Sequence, residues 1–558
     1  MAGPLITTSA LFLTALLSIP ALAAGDTGSS PSTPEKHRPQ YSDLTESEKI
    51  AQTLLISMDY NEEERYRPII QKGLVGNVLL QWGRYSLNET MDLIAKLQGW
   101  ASESPHGVPL LIYADYEGGT VSAPATLGLL NLPTNMMIGA ADNPQDTETL
   151  FHLAAMEMRR AGIHVNFAPV LDVNTNPENP IIGVRSFGSN PQTVSRLGLA
   201  VIDGLASAGV GAVAKHFPGH GDTSVDSHTG LPVISCGKED FFKTHLTPFA
   251  DAASHGVMGI MSAHIIFSEI DPENPATFSE KILTGLLREK LQFKGLIYSD
   301  SLDMKGALKT RTIPQGAVDT ITAGADIAIL GKGDIYAAQK AIEDAMRDDV
   351  FRKKLEDSSK KVFMAKQKLG LFDGEFNVDF EVDKAYEIYA GRISRNAVTA
   401  VRGGDKLPFK KPGTGKPKLC AIFFTPTRFE DMLQNFDIPF TDEGWEVNHY
   451  NSAPNPGAED IASIKKCVNA ADAVVFGTFQ WSSKPYKTQI HTVNSLTPRD
   501  KPSAAISLMS PYDLPLLTGP EITLALYGIN DFSILGAADI LTGKFKPQGK
   551  LPVQLPEK

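Results

Sequence analysis

The segment "AVAKHFPGHGDTSVDSHTGLPVI", Ala212 to Ile234, gathers His216, His220 and His228 with Asp222 and Asp226 in a stretch broken by glycine and proline. Three chemistries draw on such residues: metal ligation, activation of a nucleophile, and proton transfer. Metal ligation fits poorly. His216 and His220 have the i, i+4 spacing of a helical ligand pair, but Pro218 and Gly219 break the helix that would align their rings, and no glutamate adjoins His216. Serine chemistry lacks its strand-to-helix elbow, because Ser224 and Ser227 lie near histidines but the chain has no G-x-S-x-G. Proton transfer fits best. A turn at Asp226-Ser227-His228 brings the carboxylate to one imidazole nitrogen, fixing the tautomer and leaving the other nitrogen for acid and base work. A solvated loop histidine in a local Asp turn is the plainer reading of the same residues.

A proton donor needs a partner at the reacting atom, and strand-end carboxylates supply candidates. Asp300 closes "GLIYSD" and is preferred over Asp303, which lies further into the loop; a helix cap is its alternative role. The elements that must position these groups read as alternating strands and helices. "VGNVLL", "VPLLIYAD", "IHVNFAPVLD", "VGAVAKHF", "MGIMSAHI", "GLIYSD" and "ADIAIL" make seven strand-like runs. Between two of them, Asn190 can cap and Pro191 open a helix whose Val194, Leu197, Val201, Ile202 and Leu205 share one face, with Gly209 as its stop. Seven runs approach the eight of a TIM barrel; an open doubly wound sheet is the competing arrangement. Asp115, Asp172, Lys215 with His216, His264 and Asp300 each end a different run, and in a barrel such ends converge on one mouth, which favours the barrel.

The 558 residues are enough for two cores, and 42% hydrophobic with 21% charged residues is a globular composition. A net charge of −12 argues against a nucleic acid partner. Residues 1–24 carry an apolar stretch ending in Ala21-Leu22-Ala23, which reads as an export signal, so the expected location is periplasmic or secreted, without stable membrane insertion after cleavage. Residues 25–40 read as a flexible lead-in, 41–390 as the barrel, 391–418 as a linker and 419–558 as a second α/β unit. Cys236, Cys420 and Cys467 form no zinc pattern; one bridge, Cys420 to Cys467, stays open.

"KHFPGHGDTSVDSH", "IYSDSLDMKGA", "NFAPVLDVNTNPENPIIGVRSFG" and "YADYEGGTV" together resemble glycoside hydrolase family 3, in the β-N-acetylglucosaminidase branch marked by K-H-F-P-G-H-G followed by D-x-H. The resemblance runs from about Leu44 to Leu369, and "YGINDFSILGAADILTGKFKPQGKLPV" resembles the end of the family's second domain. It implies a TIM-type (β/α)8 barrel followed by a smaller αβα sandwich, and hydrolysis with retention through a covalent glycosyl-enzyme intermediate. Asp300 would be the nucleophile, His228 the acid and base, and Asp226 its orienting partner. Asp115, Arg185, Lys215 and His216 would hold the terminal sugar, supported by Asp172. No metal or organic cofactor is expected, and the substrate would be a GlcNAc-containing oligosaccharide from peptidoglycan or chitin. The same resemblance leaves open a β-glucosidase, a glycoside phosphorylase or an inactive glycan-binding protein. One departure stands out: Ala123 occupies the place of the family's arginine in "EGGTVSAP".

Overall fold

The structure, a computed structural model, describes residues 38–556 apart from 60, 82, 84, 120, 123–126, 229, 235, 374–381, 413–414 and 482–483. The export signal, most of the lead-in and Ala123 therefore lie outside the described residues. Eight parallel strands make the first sheet: β1 (Leu54–Met58), β2 (Asn77–Leu80), β3 (Leu111–Ala114), β4 (Val165–Asn166), β5 (Gly211–Phe217), β6 (Gly259–Ser262), β7 (Leu296–Tyr298) and β8 (Ala328–Gly331). Neighbours in the chain are neighbours in the sheet, β8 returns to β1 with Leu54 opposite Ala328, and a bridge from Tyr298 to Ile327 closes the ring between β7 and β8. The barrel expected from strand ends is therefore present, and the open doubly wound sheet is not. The strand that the count of seven misses is β1, "LLISM", which follows the helix Glu46–Gln52 with only Thr53 between them and so has no turn signal to set it off.

Alternate side chains of each strand go to different cores. Leu55, Leu79, Tyr113, Phe167, Val213, Met261, Tyr298 and Ile329 fill the barrel interior. Leu54, Ile56, Val78, Leu80, Ile112, Ala212, Ala214, Ile260 and Ile297 join the larger cluster shared with the surrounding helices. This is the period of two imposed by the pleat. The rings of Tyr113, Phe167 and Tyr298 meet with centroids 5.0 to 5.9 Å apart and plug the interior. Two residues further along the inward phase come Asp115 after Tyr113, Lys215 after Val213 and Asp300 after Tyr298. The alternation that packs the barrel thus also aims charged groups at its mouth.

The helix Pro191–Ser207 follows the local rules: the Asn190 side chain accepts from the Thr193 amide, Pro191 opens the first turn, and Gly209 turns the chain out with φ +78°. Val194, Leu197, Val201, Ile202 and Leu205 are all buried. Beyond the barrel, β9 (Thr399–Arg402), β10 (Lys418–Phe424), β11 (Glu446–Ser452), β12 (Ala473–Thr478), β13 (Ser503–Ser507) and β14 (Ile522–Ala525) form a mixed sheet in the order β9-β14-β13-β12-β10-β11. Only β9 runs antiparallel to its neighbour. The stretch 391–418, read above as a linker, holds the end of the helix Asp383–Ala397 and the edge strand β9. That helix is a joint rather than a tether. Arg392 pairs with Asp146 of the barrel layer at 2.8 Å, while Gly391 lies against Phe532 of the second unit. Cys420 and Cys467 are bonded, tying β10 to the helix Ala458–Ala470, and Cys236 is unpaired. Among the described residues no helix is long and apolar enough to cross a membrane.

Asn190→Ala should lower stability by about 1 kcal/mol, read as a lower urea midpoint, and Asn190→Asp should recover most of it because a carboxylate also caps.

Candidate active site

A cavity of about 410 Å³ opens at the C-terminal ends of the barrel strands. Leu79, Phe167, Met261 and Ile329 of the interior cluster form its apolar part. Asp115, Arg185, Lys215, His216, His228 and Asp300 all line it, so six of the seven expected site residues share one space. Asp226, the seventh, reaches it through His228. The Asp226 Oδ1 accepts from the His228 backbone amide at 2.8 Å and lies 2.9 Å from His228 Nδ1. The plain Asp turn and the orienting carboxylate are therefore one and the same structure, and it leaves His228 Nε2 free of that contact.

Charge is concentrated around Lys215. Lys215 Nζ lies 2.7 Å from Asp115 Oδ1 and 2.6 Å from Glu117 Oε1. Arg185 grips Glu117 with two parallel bonds, Nε to Oε2 and Nη2 to Oε1, both 2.8 Å. Burial by itself would raise the Glu117 carboxyl, but Arg185 and Lys215 outweigh it and hold it down at about 2. Glu117 was not singled out in the sequence; its signal was the i, i+2 spacing from Asp115 in "YADYEGG", which keeps both on the same side of an extended chain.

Asp172 is fully buried and organises the histidine loop. Its Oδ2 lies 2.7 Å from His216 Nδ1, and its Oδ1 accepts the His220 amide at 2.6 Å. With Arg185 Nη2 donating toward His216 Nε2 at 3.4 Å, the His216 proton belongs on Nδ1. His220 is held between Thr223 Oγ1 at 2.8 Å and Ser227 Oγ at 3.0 Å, and burial pulls its imidazole down to about 4, so it stays neutral. The ring nitrogens that a His216–His220 metal pair would need are thus taken by other partners, apart from the one facing Arg185. Gly221 is required for the loop to close on this hub, since a Cβ there would stand 1.8 Å from Val173 O.

Asp300 follows β7 and accepts the Ser301 amide through Oδ1 at 2.7 Å. Burial would raise its carboxyl, but His264 and His216, then the Ser301 amide and His228, hold it below the ordinary carboxylate range. The groups that lower it are imidazoles and one backbone amide rather than a lysine or arginine. His264 is itself locked, with Nε2 2.8 Å from Ser301 O and Nδ1 2.9 Å from Thr277 Oγ1.

The family model for the glycosyl hydrolase family 3 N-terminal domain matches residues 45–365, more than half of the chain. The chain belongs to glycosyl hydrolase family 3. Within this glycoside hydrolase family it is 35% identical over 320 residues to beta-hexosaminidase A of Pseudoalteromonas piscicida, covering 51% of this chain and 54% of that protein. It is 38% identical over 265 residues to a beta-hexosaminidase of Nitrosomonas eutropha, covering 46% of this chain and 74% of that one. The match thus spans about half the length of the first relative. Among solved structures, a glycoside hydrolase family 3 beta-N-acetylglucosaminidase from Paenibacillus sp. str. FPU-7 superposes with a TM-score of 0.81 at 29% identity, covering 92% of this chain and 99% of that chain. The family 3 fold, barrel plus second sheet, is therefore shared along most of the length.

Glu117→Gln, which leaves Arg185 and Lys215 short of a buried counter-charge, should destabilise the protein by about 3–5 kcal/mol at neutral pH. The folded carboxyl sits at about 2 against an ordinary 4.5, so its contribution is complete above about pH 4.5 and is lost as the pH falls toward 2. Urea midpoints of wild type and variant should therefore converge across that window; a gap that stays constant would mean that Glu117 is not coupled to its cations.

Proposed function

We propose that the chain is an exo-acting, retaining β-N-acetylglucosaminidase that releases non-reducing terminal N-acetylglucosamine from an oligosaccharide. The observation that carries the reading is that Asp300 and His228 open onto the same cavity, the first held anionic and the second oriented by Asp226 through Nδ1. The β-hexosaminidase relatives and the Paenibacillus neighbour support the amino sugar.

In this reading Asp300 attacks the anomeric carbon while His228 protonates the departing glycosidic oxygen from Nε2. The C–O bond to the aglycone breaks as the bond to the Asp300 carboxylate forms. Neutral His228 then takes a proton from water, which displaces Asp300 and returns the sugar with its anomeric configuration retained. The anionic Asp300 favours the oxocarbenium-like transition state at both steps. Asp115, Arg185, Lys215 and His216 meet the hydroxyl groups of the terminal sugar from the charged wall, where their mutual pairing fixes their positions before substrate arrives. Muropeptides and chitin oligosaccharides both present such a terminus. An extracytoplasmic setting is supported by the Cys420–Cys467 disulfide and by the apolar segment within residues 1–24.

Purified protein should hydrolyse nitrophenyl β-N-acetylglucosaminide far faster than the corresponding β-glucoside. His228→Ala should slow chitobiose, whose leaving group needs a proton, by about a hundred- to ten-thousand-fold, and the activated nitrophenyl substrate much less. Equal slowing of both substrates would remove His228 from the acid role, and a preference for the glucoside would overturn the substrate.

A further inference from the structure

We propose that Asp222, Cys236 and His245 form a binding site for a zinc-class divalent cation, distinct from the sugar cavity, that fastens the histidine loop to the helix behind it. A carboxylate oxygen of Asp222, Sγ of Cys236 and a ring nitrogen of His245 lie within 4.8 Å of one another. None of the three lines the sugar cavity, so the inference stands apart from the proposed activity. His245 is only 4% exposed, and its Nδ1 is buried with no hydrogen-bond partner among the described residues. Buried imidazole nitrogens normally have one, so this atom lacks a ligand of some kind. Two half-buried donors stand beside the His245 ring, and both are anionic once the thiol is deprotonated.

The donor set decides the class of ion. One thiolate, one imidazole and one carboxylate suit a borderline-soft cation such as zinc far better than magnesium or calcium, which prefer oxygen alone. Their two negative charges would neutralise a divalent ion, and Asp240 and Glu269 add negative charge around Cys236. Tetrahedral zinc, with bonds of about 2.0–2.3 Å, sets its donors about 3.5 Å apart, so the present group must close by about 1 Å. The half-buried Asp222 and Cys236 side chains are the ones that would have to turn, and the fourth position would fall to solvent. Binding transfers the Cys236 proton to the solution as the metal–sulfur bond forms. The three donors are fourteen and nine positions apart, which is why no ligand spacing betrays them and why the sequence led to an expectation of no metal.

The placement gives the ion a structural task. His245 caps the end of the helix Lys238–Thr244, and Gly219 of the histidine loop lies so close that a Cβ there would stand 2.9 Å from His245 Cβ. Asp222 lies four residues before Asp226 and is already braced by Thr175 Oγ1 at 3.0 Å. A cation would therefore pin the loop between the Asp172 hub and the Asp226–His228 turn.

The test uses the full chain after dialysis against a chelator. Cys236 is the chain's one thiol, since the other two of its three cysteines are bonded to each other. Titration with Co²⁺ should saturate at one ion per chain and raise a thiolate-to-cobalt charge-transfer absorption that Zn²⁺ abolishes. Zn²⁺ should also protect Cys236 from a thiol reagent and raise the thermal midpoint of the wild type. Cys236→Ser and His245→Ala should each weaken binding about tenfold or more. The thiol-protection assay needs no variant, so a variant that fails to fold leaves the test intact. Absence of saturable Co²⁺ binding, or binding that leaves Cys236 fully reactive, would overturn the site.

Discussion

Lys215 stands between two carboxylates at the mouth of a closed barrel, and the rest of the site depends on that arrangement. A lysine as buried as this one is costly to desolvate, and it is tolerated because Asp115 and Glu117 each contact Nζ while Arg185 balances Glu117 from the far side. The four groups form a chain of alternating sign in which Lys215 and Glu117 each serve two partners, so that the loss of either strips the group at its end of the chain. For the proposed sugar site such rigidity would place donors and acceptors for ring hydroxyls before substrate arrives. The barrel interior below is mostly apolar, with the Tyr113 and Tyr298 hydroxyls and Asn77 meeting within it. Tyr113, Phe167 and Tyr298 keep water from entering beneath the charged layer and weakening it.

A second hub lies on the neighbouring strand end. Asp172 holds the His216 ring by one oxygen and the His220 amide by the other, so one buried carboxylate sets both the start of the histidine loop and the tautomer of the residue facing Arg185. From His220 the contacts pass to Ser227 and thence, through the backbone, to His228. The exposed imidazole at the rim is therefore tied to the fully buried core of the site, with Asp226 as its carboxylate partner in the loop.

How much of this was legible in the sequence follows from the range over which each feature is encoded. Asp115, Lys215 and Asp300 could be read because the period of two carries the inward phase past the strand. The Asp226–His228 contact could be read because it spans one residue. The cap at Asn190 is equally local. Arg185 came only through the family resemblance, since it sits on a short turn, Gly183–Arg185, whose direction is set by its bond to Glu117. β1 follows its helix Glu46–Gln52 with one residue between them and no turn signal to set it off, and the second unit was read only as α/β, with a linker placed where the helix Asp383–Ala397 ends and β9 begins. The Asp222–Cys236–His245 group was invisible for the same reason as the Glu117–Arg185 clasp: residues far apart in the chain meet only once the barrel closes.

The central claim is that Asp300 forms a bond to the sugar, and the most direct measurement is to trap it. Incubation with a fluorinated N-acetylglucosaminyl fluoride, whose glycosyl-enzyme turns over slowly, followed by proteolysis and peptide mass spectrometry, should find one glycosyl adduct per chain on Asp300. An adduct on another residue, or release of product with inverted anomeric configuration and no adduct, would contradict the account.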